Sequence, residues 1–207
     1  MRSTTTVFRP SARDPGRAGR LAPARWLPAS LIAVAALLGA TAAAAQVTVK
    51  ADDFQKAESP WDMAFLPDGT MFFTEKCKGL SVRLPSGKVN ALLGVGDSKG
   101  YATVRNDLFC DGQAGVQGVA VDPNFASNRF VYVYASSRGP NRTYGGYNNI
   151  VMRMKVDAPL AALSEISEII SDIGYKPAKS AHPFGGPGAH NGGRIRFNPG
   201  DGFLYVL

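Results

Sequence analysis

Trp61-Asp62-Met63-Ala64-Phe65-Leu66 runs into Pro67-Asp68-Gly69, and Thr70-Met71-Phe72-Phe73-Thr74-Glu75 follows. Proline presets the first corner of a turn, aspartate bonds its own backbone, and glycine accepts a left-handed corner. The flanks are rich in large apolar residues, so the stretch predicts two antiparallel strands joined by a tight turn. The same pattern returns at Gly118-Val119-Ala120-Val121, Asp122-Pro123-Asn124-Phe125, then Phe130-Val131-Tyr132-Val133-Tyr134-Ala135. A third copy is Arg194-Ile195-Arg196-Phe197, Asn198-Pro199-Gly200-Asp201-Gly202, then Phe203-Leu204-Tyr205-Val206-Leu207.

Pro67, Pro123 and Pro199 mark these turns, at spacings of 56 and 76 residues. Hairpins recurring at so coarse an interval predict an all-β chain of β-propeller blades, each a four-stranded sheet with variable outer loops. An antiparallel sandwich has similar strand grammar and stays open on these residues alone. Residues 79–84 and 149–156 would supply the third strands of the first two blades. One stretch departs from the pattern. Leu160, Leu163, Ile166, Ile169, Ile170 and Ile173 recur every three or four residues, which predicts a short helix over 160–173 unless a blade's outer strand overrides it. The chain stops at Leu207 inside an apolar strand, so the propeller is expected to be truncated.

The 207 residues carry 23 Lys and Arg against 16 Asp and Glu, a net charge of +7. With 45% hydrophobic and 19% charged residues, the chain is neither a disordered tail nor a coiled coil. Such a basic balance invites a nucleic-acid reading until the charge is located. Residues 1–45 hold Arg2, Arg9, Arg13, Arg17, Arg20 and Arg25 against Asp14 alone, which leaves only +2 for residues 46–207. The apolar run Leu31 to Gly39 follows, ending in Ala43-Ala44-Ala45. This predicts a secretory signal peptide over residues 1–45, with an uncleaved anchor as the alternative. After cleavage no membrane span is expected, and the protein would be periplasmic or secreted. No basic aromatic stripe is present, so no nucleic-acid partner is expected.

Cys77 and Cys110 are the two cysteines, and an exported chain meets an oxidising compartment. A disulfide between them would contribute about 3 kcal/mol, and two separate thiols are the alternative. His190 is flanked by Gly185-Gly186-Pro187-Gly188-Ala189 and Asn191-Gly192-Gly193, just before a predicted strand. Glycine leaves such a side chain uncrowded, and an imidazole moves protons near neutral pH. The residues alone fit either a catalytic base or a loop histidine bonded to backbone. Cys110-Asp111-Gly112-Gln113-Ala114-Gly115 is a second glycine-rich loop, where Gln113 offers both a donor and an acceptor to a hydroxylated ligand or simply faces solvent. Asp107 and Asp111 could attract a cation, but without calcium-loop spacing. No nucleophile elbow, phosphate-binding loop or dinucleotide fingerprint occurs.

Three stretches together resemble the soluble-type PQQ-dependent sugar dehydrogenases, the glucose/sorbosone dehydrogenase family. Pro60-Trp61-Asp62-Met63-Ala64-Phe65-Leu66-Pro67-Asp68-Gly69 is similar to its first blade. Asp111-Gly112-Gln113-Ala114-Gly115-Val116-Gln117-Gly118 is similar to its Gly-Gln-x-Gly loop. His190-Asn191-Gly192-Gly193-Arg194 resembles the His-x-Gly-x-Arg stretch that bears the catalytic histidine. The resemblance covers roughly residues 50–207 and implies a six-bladed propeller with quinone and substrate on its axis. It implies that His190 is the general base for an anomeric hydroxyl while hydride passes to PQQ, that Gln113 holds the sugar, and that Arg194 anchors its strand.

The resemblance also implies calcium beside PQQ and an electron acceptor such as a cytochrome or a quinone. Two departures follow. Ala189 stands where some members carry aspartate, which removes one polar contact to sugar and widens the expected substrates to other aldoses or an aldehyde hydrate. Residues 46–207 hold about two to three blades. The quinone clamps and the calcium site belong to later blades of the family, so no metal ligands are expected in this chain. The segment alone is expected to bind PQQ negligibly. A non-catalytic propeller binding a glycan or protein is the alternative function, and a metal-dependent lactonase a third.

Overall fold

The computed structural model describes residues 50–176 and 188–207. The expected signal peptide, residues 1–45, lies outside the described residues. Residues 51–207 form one contact unit. Its first sheet runs β1 (Pro60–Phe65), β2 (Met71–Glu75), β3 (Gly79–Arg83) and β4 (Val89–Val95), all antiparallel neighbours. A short β5 (Thr103–Arg105), which the sequence did not suggest, adds in parallel to β4.

The second sheet is β6 (Val116–Val121), β7 (Phe130–Arg138), β8 (Tyr147–Val156) and β9 (Leu163–Ile173) in that order. The turn between β6 and β7 is not a plain hairpin turn: it includes a one-turn helix, α1 (Phe125–Asn128). A third sheet contains β10 (Ile195–Phe197) and β11 (Leu204–Val206). Successive four-stranded meanders followed by a hairpin are the all-β blade arrangement that the three turn motifs predict.

Strand alternation explains how the sheets stack. On β7, Val131, Val133 and Ala135 face the core shared with the first sheet, while Tyr132 and Tyr134 face the third. On β8, Ile150, Met152 and Met154 join the first core and Val151 the second. A period of two therefore buries both faces of the middle sheet. Phe72, Leu80 and Val82 close the first core, and Ile195, Phe197 and Leu204 the second. The opposite face of β1 leaves Trp61, Met63 and Phe65 exposed, as does the far side of β11 with Tyr205.

The helix predicted over 160–173 is not formed; β9 occupies it. The register with β8 shifts at three places, where Lys155↔Ser164 gives way to Arg153↔Ser167, Met152↔Glu168 to Val151↔Ile170, and that pair to Asn149↔Ile173. Each shift leaves one more residue on β9 than on β8, which is a bulge, and each bulge flips the side-chain phase. Glu165, at the first shift, has φ 49°. The bulges convert a period of two into an apparent spacing of three and four. Tertiary pairing with β8 overrides the local pattern.

Candidate functional site

Gln113 sits at a corner. Asp111 and Ala114 exchange backbone bonds, Ala114 N–H to Asp111 O at 2.8 Å and Asp111 N–H to Ala114 O at 3.3 Å, with Gly112 and Gln113 between them. Gly112 takes φ 55°, which glycine adopts without a Cβ penalty. The corner is tied from below by Gln117 on β6, whose Nε2 donates to Gln113 O at 3.0 Å. Lys76 Nζ donates to Gly112 O, and Val116 N–H to Lys76 O at 2.9 Å, so the turn after β2 grips the loop from the other side. Cys77, next to Lys76, and Cys110, next to Asp111, are joined as a disulfide with Cα atoms 5.0 Å apart.

His190 lies in the loop that enters β10 and is exposed, while its neighbours Ala189 and Asn191 are buried. Its backbone adopts φ 59°, a left-handed conformation that costs a non-glycine residue about 1 kcal/mol or more. Asn191 anchors the loop. Its Nδ2 donates to Gly188 O at 2.7 Å, its Oδ1 accepts from Asn149 Nδ2 at 3.2 Å, and its carbonyl accepts from Tyr134 Oη at 2.6 Å. Burial pushes the Tyr134 hydroxyl up to about 12, so it stays a donor across the physiological range. Asn149 Oδ1 accepts in turn from Ser136 Oγ at 2.7 Å, and Ser136 Oγ accepts from Gly115 N–H at 3.3 Å. A continuous polar chain across the middle sheet thus links the two glycine-rich loops. They also meet directly: His190 N–H donates to Gln113 Oε1 at 2.9 Å.

Asp62 on β1 holds the three sheets at one point. Its carboxylate accepts from Val119 N–H on β6 at 3.0 Å and from Met63 N–H at 2.9 Å. Arg194 Nη1 approaches it at 3.1 Å, and Arg196 binds both oxygens, at 2.5 and 2.7 Å. Burial pushes the Asp62 carboxyl upward, but the Arg196 guanidinium and the two N–H donors outweigh it and hold the group below the usual aspartate value. Arg194 and Arg196 are therefore engaged with β1.

Asp107 is likewise committed: it pairs with Arg105 at 2.5 Å and Arg142 at 3.4 Å, and accepts from Ser137 Oγ at 2.6 Å. Asp111 bridges to Ala114 through its backbone only. Among the described residues no group of three or more His, Cys, Asp or Glu could hold a metal ion. Gln117 Oε1 is buried without a hydrogen-bond partner, packed against Gly193, whose φ is 103°. Asp62 and Asn191 are not legible in the sequence as site residues, since partners such as Arg196 and Asn149 lie remote in the chain; Gln117 acts on Gln113 four positions away, and it and Asn191 stand out only as members of glycine-rich motifs.

Stacked antiparallel blades with a histidine and a glutamine amide converging from loops at the strand entries define a loop-borne polar site on a propeller. The chain belongs to the Glucose / Sorbosone dehydrogenase family, whose model matches residues 57–207. It is 29% identical over 180 residues to the aldose sugar dehydrogenase YliI of Escherichia coli K12, covering 85% of this chain and 41% of that protein. Among solved structures, an oxidoreductase (glucose dehydrogenase) of Thermus thermophilus superposes with a TM-score of 0.53 at 29% identity, over 73% of this chain and 37% of that one. The PQQ-bound aldose sugar dehydrogenase of Streptomyces coelicolor shares the fold, with a TM-score of 0.53 at 24% identity over 73% of this chain and 38% of its own. The chain therefore spans about two fifths of the length of these relatives. Among the described residues no helix is long and apolar enough to cross a membrane.

PQQ is a tricarboxylate, and holding it calls for cations. Beside the His190 loop, Arg194 and Arg196 are spent on Asp62 and Lys76 on Gly112 O. The donor set fits the proton-handling and substrate-placing side of the chemistry. Among the described residues, Arg194, Arg196 and Lys76 are engaged with protein groups rather than left for a cofactor carboxylate.

Proposed function

We propose that this chain supplies the base and the substrate-placing amide of a PQQ-dependent aldose dehydrogenase, a secreted or periplasmic oxidoreductase acting on the anomeric carbon of an aldose or related sugar. The carrying observation is the 2.9 Å bond from His190 N–H to Gln113 Oε1, which brings together two residues 77 positions apart. His190, exposed at the rim, takes the proton from the anomeric hydroxyl through its imidazole. Gln113 places the sugar beside it. The buried Asn191 next to it ties the loop to Gly188, Asn149 and Tyr134. PQQ, when bound, supplies the two-electron acceptor for the hydride leaving the same carbon. A cytochrome or a quinone would then take the electrons onward, and calcium would be bound outside the described residues.

A segment exchange tests the reading. Residues 57–207 replace the aligned segment of the E. coli aldose sugar dehydrogenase, and dye reduction by an aldose is followed with PQQ and calcium supplied. The chimaera should turn over, and His190→Ala within it should lose about 10²-fold or more in kcat. A chimaera that binds PQQ but leaves turnover indifferent to His190→Ala would instead favour a propeller that binds a glycan or protein.

A further inference from the structure

We infer that Gln113 is a positioning residue for His190: its side-chain carbonyl holds the His190 backbone in the left-handed conformation, while the amide NH2 end of Gln113 is turned to a ligand. A backbone N–H can only donate, so the Gln113 atom 2.9 Å from His190 N is the oxygen, whatever the ambiguity of an amide elsewhere. The left-handed φ of 59° is unfavourable for histidine, and this bond offsets it where no helix or strand does so.

The backbone that carries the Gln113 side chain is fixed. Its backbone carbonyl is held by the buried Gln117 at 3.0 Å, and the corner is closed by the Asp111–Ala114 bonds. Among the described residues its Nε2 donates to no protein acceptor. A group that meets the Gln113 NH2 is then an acceptor, such as a hydroxyl or ring oxygen of a sugar. That last point rests on the function proposed above; the positioning role does not.

Hydrogen exchange at individual amides of the 207-residue chain tests the positioning role with no ligand present. Gln113→Ala and Gln113→Met, the latter keeping length without a hydrogen-bonding atom, should speed exchange at His190 about tenfold. Gln113→Glu, which retains the acceptor, should restore protection. The amides of Val119 and Gly193, bonded to Asp62 and to Leu207, serve as controls and should not move. Equal acceleration at all three amides would overturn the inference, because Gln113 would then only support the fold. So would His190 exchange that is unchanged in Ala and Met, or that is as fast in Glu as in Ala. In the chimaera, Gln113→Glu should lose at least tenfold in kcat/KM although His190 stays protected, since an acceptor replaces the donor. Undiminished turnover would refute the donor assignment. A wild-type chimaera without turnover would sink the proposed function and leave the exchange result standing.

Discussion

Arg196 grips Asp62 with both guanidinium ends, at 2.5 and 2.7 Å, across 134 residues of sequence. The planar fork of arginine matches the two carboxylate oxygens, so the contact fixes direction as well as distance. It ties the first strand of the first sheet to the first strand of the third. Val119 of the second sheet donates to the same carboxylate. One side chain, 3% exposed, thus sets the angular relation of three blades.

Removing that carboxylate should loosen all three sheets. Asp62→Ala is expected to lower unfolding free energy by about 2 kcal/mol, because charged hydrogen bonds and a buried N–H acceptor are lost together. Arg194→Ala should cost less than about 1 kcal/mol, since the Arg194 side chain is 58% exposed and Arg196 still holds the carboxylate. Urea midpoints of the two variants check the order.

Stability should fall in acid. For Asp107, burial raises the pKa, but Arg105 and Ser137 outweigh it and hold the carboxyl below its usual 3.8. For Glu168, the bond from Arg142 dominates and holds it below 4.5. Carboxylates with depressed folded values stabilise fully above their unfolded values and lose that contribution as pH falls through the folded ones. Denaturant midpoints should therefore be flat above these values and decline below them. In Glu168→Gln the decline should be shallower; an unaltered slope would remove Glu168 as a cause.

Reducing the Cys77–Cys110 disulfide opens a loop spanning 33 positions, for which chain entropy suggests a loss of about 3–4 kcal/mol. Amides of Ala114 and Val116, next to the Gln113 corner, should exchange faster on reduction than those of β8. Mass-resolved exchange with and without reductant measures the difference.

Gly118→Ala should separate the second sheet from the third. A Cβ there would overlap the Gly193 carbonyl oxygen and lie 3.1 Å from Ile195 Cγ1, so backbone must move. The expected cost is about 1–3 kcal/mol, with β10 and β11 amides exchanging faster than those of β2 and β3. Uniform acceleration across all three sheets would contradict a local effect.

How far each feature could be read from the chain follows from how local its cause is. The hairpins around Pro67 and Pro199 were legible because the turn chemistry lies within the turn itself: Thr70 N–H reaches Asp68 Oδ1 at 2.9 Å and Phe203 N–H reaches Asp201 Oδ1 at 2.9 Å. β9 departs from the helix expected there because its bulges against β8 scramble the alternation, and bulges are a property of pairing. The motif around His190 stood out through its glycines. Asn191, which carries that loop on Asn149 and Tyr134, looked like any polar loop residue.

By itself the sequence determined the turns, the strand alternation, the concentration of positive charge in residues 1–45 and the three motifs of the sugar dehydrogenase family. Each of these depends on residues within a few positions of one another. Only the tertiary structure decided that Asp62 meets Arg194 and Arg196, and that Gln113 accepts from His190. The physical reason is distance along the chain. Hydrogen bonds and ion pairs act over about 3 Å, and which remote groups come that close is set by how whole sheets stack to bury their two apolar faces.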